Sequence, residues 1–303
     1  MPLLKILILA IVQGLAELLP ISSSAHVVVA EKLMGLDPSN ADMTLLLVML
    51  HTGTMLAVIV YFWNQWKRAY LSTSDAFKRF LIRAIWATVL TAVIGFPIQK
   101  LIEKTVFKGV PHADIEMLFS HLDFIAPALL AAGRLILYAG LRERGHEEVV
   151  SRSAYERAAS RSGDNVTFGQ AGWMGAFQGL ALPFRGFSRS GSTISVGLLT
   201  GANRERAERF SFALAVILTP AVIGREALRL AKASHESTLS GVPVNLHASI
   251  ATSLIGMVLS FFAGLLALRW LSSWLENGRW WLFGVYCILF SAVVFYLHYG
   301  RGL

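Results

Sequence analysis

The chain has 303 residues, 55% of them hydrophobic and 15% charged, with a mean hydropathy of +0.57. A soluble domain carries about a quarter charged residues, so this composition belongs in a membrane. The net charge of +8 would suit a nucleic-acid binder, but the basic residues lie in short connectors between apolar runs, where they fix topology instead, and nucleic acid is not an expected partner.

The first apolar region, about 3–36, is broken in its middle by Pro20 and by Ser22, Ser23 and Ser24. Taken alone, residues 1–25 also fit a signal peptide, since Lys5 precedes an apolar stretch and a small-residue cluster follows it. Three apolar stretches come next, at about 43–63, 80–99 and 118–140, each near the roughly 20 residues that cross a bilayer as a helix. The polar segment at about 141–168 reads as a linker. A second broken region follows at about 169–202, interrupted by Pro183, Arg185, Gly186 and a serine-rich run, and then three more apolar stretches at about 207–231, 247–269 and 279–299. The lone cysteine, Cys287, sits in the last of these, so no internal disulfide is available.

The two broken regions echo each other. Gln13-Gly14-Leu15-Ala16 recurs as Gln178-Gly179-Leu180-Ala181, and Ile21-Ser22-Ser23-Ser24-Ala25 is echoed by Phe187-Ser188-Arg189-Ser190-Gly191. This is an internal repeat, and it argues against the signal-peptide reading. The expected fold is an all-α polytopic membrane protein forming a single integral domain. Repeat one covers about 1–140 and repeat two about 169–303, each a re-entrant helical hairpin followed by three transmembrane helices. A re-entrant hairpin adds no crossing, so each repeat crosses an odd number of times and the second is inverted. Non-helical backbone survives at membrane depth only where protein or a water-filled cavity surrounds it, so the two breaks mark the functional centre. The connectors holding Lys67, Arg68, Lys78, Arg79, Arg142, Arg144, Arg152, Arg157, Arg161, Arg204, Arg206 and Arg209 are expected on the cytoplasmic side, leaving Lys5, Lys32, Lys100, Lys104, Lys108, Lys232, Arg301 and the mouth of the first hairpin outside.

Ionisable side chains at membrane depth are expensive and therefore point to function. The first hairpin supplies Glu17, Ser22, Ser23 and His26, with Gln13 one turn before Glu17 on the same helix face. A serine at a half-helix N-terminus sits where backbone N–H groups favour a phosphate, and it becomes a nucleophile if Glu17 or His26 takes its proton. The alternative is a simple turn with a serine N-cap. The second hairpin supplies Arg185, Ser188, Arg189, Ser190, Ser192 and Thr193, a guanidinium with hydroxyls and glycine around it, which reads as a phosphate clamp. Against that, Arg189 and Glu17 would form a purely structural ion pair. His51, in the polar patch His51-Thr52-Gly53-Thr54, either lines the cavity or packs, and Asp123 is likewise open. Arg134, Arg225 and Glu226 fall near expected span ends, where snorkelling or pairing accounts for them.

The run Gln13-Gly14-Leu15-Ala16-Glu17-Leu18-Leu19-Pro20-Ile21-Ser22-Ser23-Ser24-Ala25-His26 resembles the first signature of the bacterial undecaprenyl-diphosphatase family of the bacitracin-resistance type, E-G-x-T-E-F-[LI]-P-[VI]-S-S-T-G-H. Its second signature, P-G-x-S-R-S-G-x-T-I-S, is similar to Gly186-Phe187-Ser188-Arg189-Ser190-Gly191-Ser192-Thr193-Ile194-Ser195. The resemblance implies hydrolysis of undecaprenyl diphosphate to the monophosphate and inorganic phosphate in the bacterial inner membrane. That reaction recycles the lipid carrier for cell-wall synthesis and confers bacitracin tolerance. Its implied catalytic set is Glu17, Ser23, His26 and Arg189, with Ser23 as nucleophile, Glu17 and His26 in proton transfer or metal binding, and Arg189 on phosphate. Ser22, Ser188, Ser190 and Thr193 would contact phosphate, and Gln13 and His51 would support. A divalent cation, Mg or Ca, held in part by Glu17, is the implied cofactor, with no organic cofactor and with a homodimer as the expected assembly. Three departures from the pattern matter most: Gln13 replaces the first glutamate, the proline of the second signature is displaced to Pro183 with an extra residue in Pro183-Phe184-Arg185-Gly186, and His51 stands where glutamine is expected; Ala25 for glycine is a smaller change. The rival reading is a carrier that moves polyprenyl phosphate across the bilayer without hydrolysis.

Overall fold

The computed structural model describes residues 3–36, 41–106, 122–149, 165–240, 246–275 and 279–302, and these are helical apart from short turns. Residues 107–121 and 150–164, with Lys108, Arg152, Arg157, Arg161 and most of the expected linker, lie outside the described residues, as do the side chains of Arg144, Arg225, Glu226 and Lys232.

Each broken region folds as two short helices packed on one another: α1 (Leu3–Leu18) with α2 (Ser23–Leu33), and α6 (Phe168–Ala181) with α7 (Arg189–Leu199). At 1.5 Å per residue they measure about 24, 17, 21 and 17 Å, none long enough for a hydrocarbon core of about 30 Å. Local chemistry explains the breaks. Pro20 cannot continue α1, and Ser22 before α2 sits in the left-handed region at φ 68°, a conformation that strains a residue with a Cβ. In the second turn, Gly186 takes φ 109° with its backbone against Ile125, where a Cβ would lie 2.5 Å from the Ile125 carbonyl oxygen. The N-terminus of α6 is closed by a reciprocal pair, Thr167 accepting from the Gln170 amide and Gln170 accepting from that of Thr167.

The long helices are α3 (Ala41–Tyr70), α4 (Ser74–Val106), α5 (Leu122–Val149), α8 (Arg204–Ser240), α9 (Leu246–Leu275) and α10 (Trp280–Arg301). Among the described residues five of them, α3, α4, α5, α9 and α10, are long and apolar enough to cross a membrane, so the protein is a multi-pass membrane protein. The sixth expected span, at about 207–231, falls in α8 and differs from the others. Arg204, Glu205, Arg206, Glu208 and Arg209 load its first turns, and its uncharged run covers only residues 210–224. Phe210, Ser211, Phe212, Ala213, Leu214 and Ala215 are all buried in succession, so protein rather than lipid surrounds this part of the helix. By contrast α4 turns Ile82, Ile85, Val89, Val93 and Phe96 outward at helical spacing while burying Ala84, Ala87 and Thr91, the pattern of a helix with one face to hydrocarbon.

The two Gln-Gly-Leu-Ala segments pack in a reciprocal way. Gly14 of α1 abuts Ala263 of α9, and Gly179 of α6 abuts Thr91 of α4, each so closely that a side chain would collide. Small residues let membrane helices approach at backbone distance, and this contact seats each hairpin on a long helix from the other half of the chain. Elsewhere α3 packs on α9 and α5 on α10.

Candidate functional site

The tips of the two hairpins meet. A Cβ on Gly191, in the first turn of α7, would lie 3.0 Å from the Pro20 carbonyl oxygen in the turn between α1 and α2. The same carbonyl accepts from the Cys287 thiol of α10 at 3.6 Å, so α10 braces the tip.

Glu17 occupies the centre, 5% exposed, and both of its carboxylate oxygens face donors. Oε1 accepts from Arg189 Nη2 at 2.9 Å. Oε2 accepts from the Ser23 hydroxyl at 2.5 Å and from Gln13 Nε2 at 3.1 Å, and His51 Nδ1 lies 3.3 Å away. Gln13 Nε2 and His51 Nδ1 are 3.2 Å apart. An ionised carboxylate only accepts, and this surrounding supplies only what it accepts. Four segments thus converge on one oxygen pair: the end of α1, the start of α2, the middle of α3 and the start of α7. Arg189 keeps a second nitrogen, Nη1, buried without a hydrogen-bond partner. A guanidinium with one arm on a carboxylate and the other unsatisfied is poised for a further anion.

The two helix starts differ. Ser188 caps α7 by accepting from the Gly191 amide at 3.2 Å. Ser22 stands at the corresponding position of α2 but makes no capping bond with its side chain, which leaves the first amides of that helix available beside Ser23. Ser190 is buried at the start of α7. Thr193 donates or accepts with Ser211 of α8 at 2.6 Å and bonds the Arg189 carbonyl at 2.9 Å, so its hydroxyl ties α7 to α8. Ser192 likewise returns its hydroxyl to the Arg189 carbonyl at 3.0 Å.

His26 is placed apart from this cluster. One turn along α2 from Ser23, its ring turns toward α10: Nδ1 lies 2.8 Å from the Ser22 carbonyl and Nε2 2.6 Å from the Tyr286 hydroxyl. The ring stacks on Phe290 at 4.1 Å and on Tyr286 at 5.6 Å, within about 10° of parallel to both. Tyr286 and Phe290 are absent from any sequence motif. They sit in an apolar helix with outward-facing Leu289, Val293 and Tyr296, and nothing in the spacing separates them from lipid-facing residues.

A divalent cation does not fit these donors. Glu17 is the one carboxylate here, its oxygens are already engaged, and a guanidinium lies 2.9 Å from it. A hard cation takes about six oxygen ligands or more. Among the described residues no group of three or more His, Cys, Asp or Glu could hold a metal. Gln13 brings an amide where a second carboxylate would be needed.

Comparison with known proteins agrees with this picture at the level of the whole chain. Residues 6–293 match the family described as bacitracin resistance protein BacA. The chain is 52% identical over 294 residues to undecaprenyl-diphosphatase 2 of Acinetobacter baylyi, covering 97% of each chain. It is 33% identical over 303 residues to the undecaprenyl-diphosphatase of Desulfatibacillum aliphaticivorans, covering 96% of this chain and 97% of that one. A third relative, the undecaprenyl-diphosphatase of Rhodopirellula baltica, is 32% identical over 289 residues and 94% of each chain. Because the match runs nearly end to end through both broken hairpins, the chain belongs to the bacitracin resistance protein BacA family.

Proposed function

We propose that the protein is a membrane phosphatase that hydrolyses undecaprenyl diphosphate to undecaprenyl phosphate and inorganic phosphate, and that this activity confers bacitracin tolerance. The observation that carries the mechanism is the Ser23 hydroxyl donating to a buried carboxylate at 2.5 Å while Arg189 holds the other oxygen of that carboxylate. Ser23 Oγ attacks the terminal phosphorus and gives its proton to Glu17 Oε2. The bond from that phosphorus to the bridging oxygen breaks, and undecaprenyl phosphate leaves with the electron pair. Arg189, through Nη1, and the uncapped N-terminus of α2 stabilise charge on the transferred phosphoryl group. Water then hydrolyses the phosphoserine. Gln13 and His51 hold Glu17 in place, and no step runs through a metal.

The same reading places the protein in the bacterial inner membrane with the site opening outward. It relates the two halves by an inverted repeat, which the reciprocal packing of α1 on α9 and α6 on α4 supports. A homodimer belongs to this reading as well. Phosphate release from undecaprenyl diphosphate by purified protein, beside Ser23→Ala and Arg189→Ala, tests it. The wild type releases phosphate and both variants lose it. Lipid movement across vesicles with no phosphate release by the wild type would establish the carrier instead.

A further inference from the structure

We infer that Tyr286 is the proton-relay partner of His26, and that this pair serves the hydrolysis of phosphoserine while Glu17 serves its formation. The inference rests on the assignment of Ser23 as nucleophile and deepens it.

The argument starts from which atoms can hold hydrogen. The Ser22 carbonyl has none to give, so His26 Nδ1, 2.8 Å from it, carries the proton of that bond. A neutral imidazole with Nδ1 protonated has its basic lone pair on Nε2. Nε2 faces the Tyr286 hydroxyl at 2.6 Å, and the phenol therefore donates to it. Stacking on Phe290 at 4.1 Å and 9° prevents the ring from turning its basic nitrogen elsewhere. The base of His26 is thus directed to the α10 side, and Glu17 alone contacts Ser23. Tyr286 is 41% exposed, so protein does not enclose its ring, and the relay requires water to reach its hydroxyl from the side of Ser23.

The reaction moves a proton at two moments, and two separate groups stand near Ser23 to take it, Glu17 on its hydroxyl and the His26–Tyr286 pair one turn along α2. In the first half Ser23 loses its proton to Glu17. In the second half water oxygen bonds to phosphorus and the P–Oγ bond breaks, with Oγ recovering the proton held by Glu17. The proton lost by water goes to the Tyr286 oxygen as the phenol passes its own to His26 Nε2. The imidazolium then releases that proton to solvent as phosphate departs, which restores the resting pair.

Tyr286→Phe keeps the stacked ring and removes only the relay. With substrate carrying labelled terminal phosphate, rapid acid quenching reads the formation and decay of label on the protein separately, and normal formation also reports a folded site. The expected result is unchanged formation and a decay slowed at least about tenfold, the lower side of what positioned acid–base groups contribute. His26→Gln should show the same split. Label that forms and decays in Tyr286→Phe as in the wild type overturns the inference, and so does slowing of both halves together. Absence of label on the wild-type protein would instead defeat the Ser23 assignment itself.

Discussion

Replacing Glu17 by glutamine is the sharpest perturbation of the site, because it changes hydrogen-bond polarity without changing shape. The carboxylate accepts from Arg189 on one oxygen and from Ser23 on the other, at 2.9 and 2.5 Å. An amide has only one acceptor, so whichever way it lies, its NH2 faces a donor. Oriented with oxygen toward Ser23, it abuts the guanidinium. Turned over, it cannot take the serine proton. Loss of a general base lowers kcat by about 10²–10⁴-fold, or about 2.7–5.5 kcal/mol of barrier. Breaking a buried pair from one side costs about 3–5 kcal/mol, and Arg189, with 19% of its side chain exposed, belongs at the lower end of that range. Phosphate release in detergent micelles and thermal unfolding of the same preparation measure both effects. KM should change little, since the released guanidinium gains an arm for phosphate. A folded Glu17→Gln protein with kcat within about threefold of wild type, well short of the expected loss, would refute the role of this carboxylate.

Three further outcomes follow from other parts of the structure. Chelators should leave phosphate release intact, whereas Gln13→Glu, by placing a second carboxylate beside Glu17, should introduce dependence on Mg or Ca; wild-type activity abolished by chelation and restored by the cation would contradict the donor set described above. Gly186→Ala should destabilise the protein by about 1–3 kcal/mol, read as a lower Tm in detergent, because its φ of 109° and the Ile125 carbonyl leave no room for a side chain. Ser195→Ala should cost about 1–3 kcal/mol by stranding the buried Trp280 indole N–H, which donates to Ser195 at 3.1 Å, and an unchanged Tm would count against that bond.

What the sequence made legible was mostly local. Pro20 and the serines after it, and Pro183 with Gly186, are backbone signals that act within a few residues, so both breaks and the half-helices around them could be read directly. The convergence of Glu17 with Arg189 followed once the repeat was recognised, since matching breaks in two halves share one centre. Five spans were legible from apolar length; in α8, charge in the first turns and unbroken burial from Phe210 to Ala215 set that part of the helix inside the protein. His26 was the harder case. Its place one turn from Ser23 suggested either acid–base partner for that serine, and only the Ser22 carbonyl and a tyrosine 260 residues away in sequence decide which way its base points. Such a contact is set by how α10 packs against the first hairpin, and periodicity along α10 carries no trace of it.

The most direct measurement is a single-turnover reaction of wild-type protein with undecaprenyl diphosphate labelled in the terminal phosphate, quenched in acid and digested to peptides. Label should appear transiently on the peptide containing Ser23 and be absent from Ser23→Ala, which releases no phosphate. Wild-type turnover with label passing only into free phosphate, together with a Ser23→Ala protein of normal rate, would contradict the account.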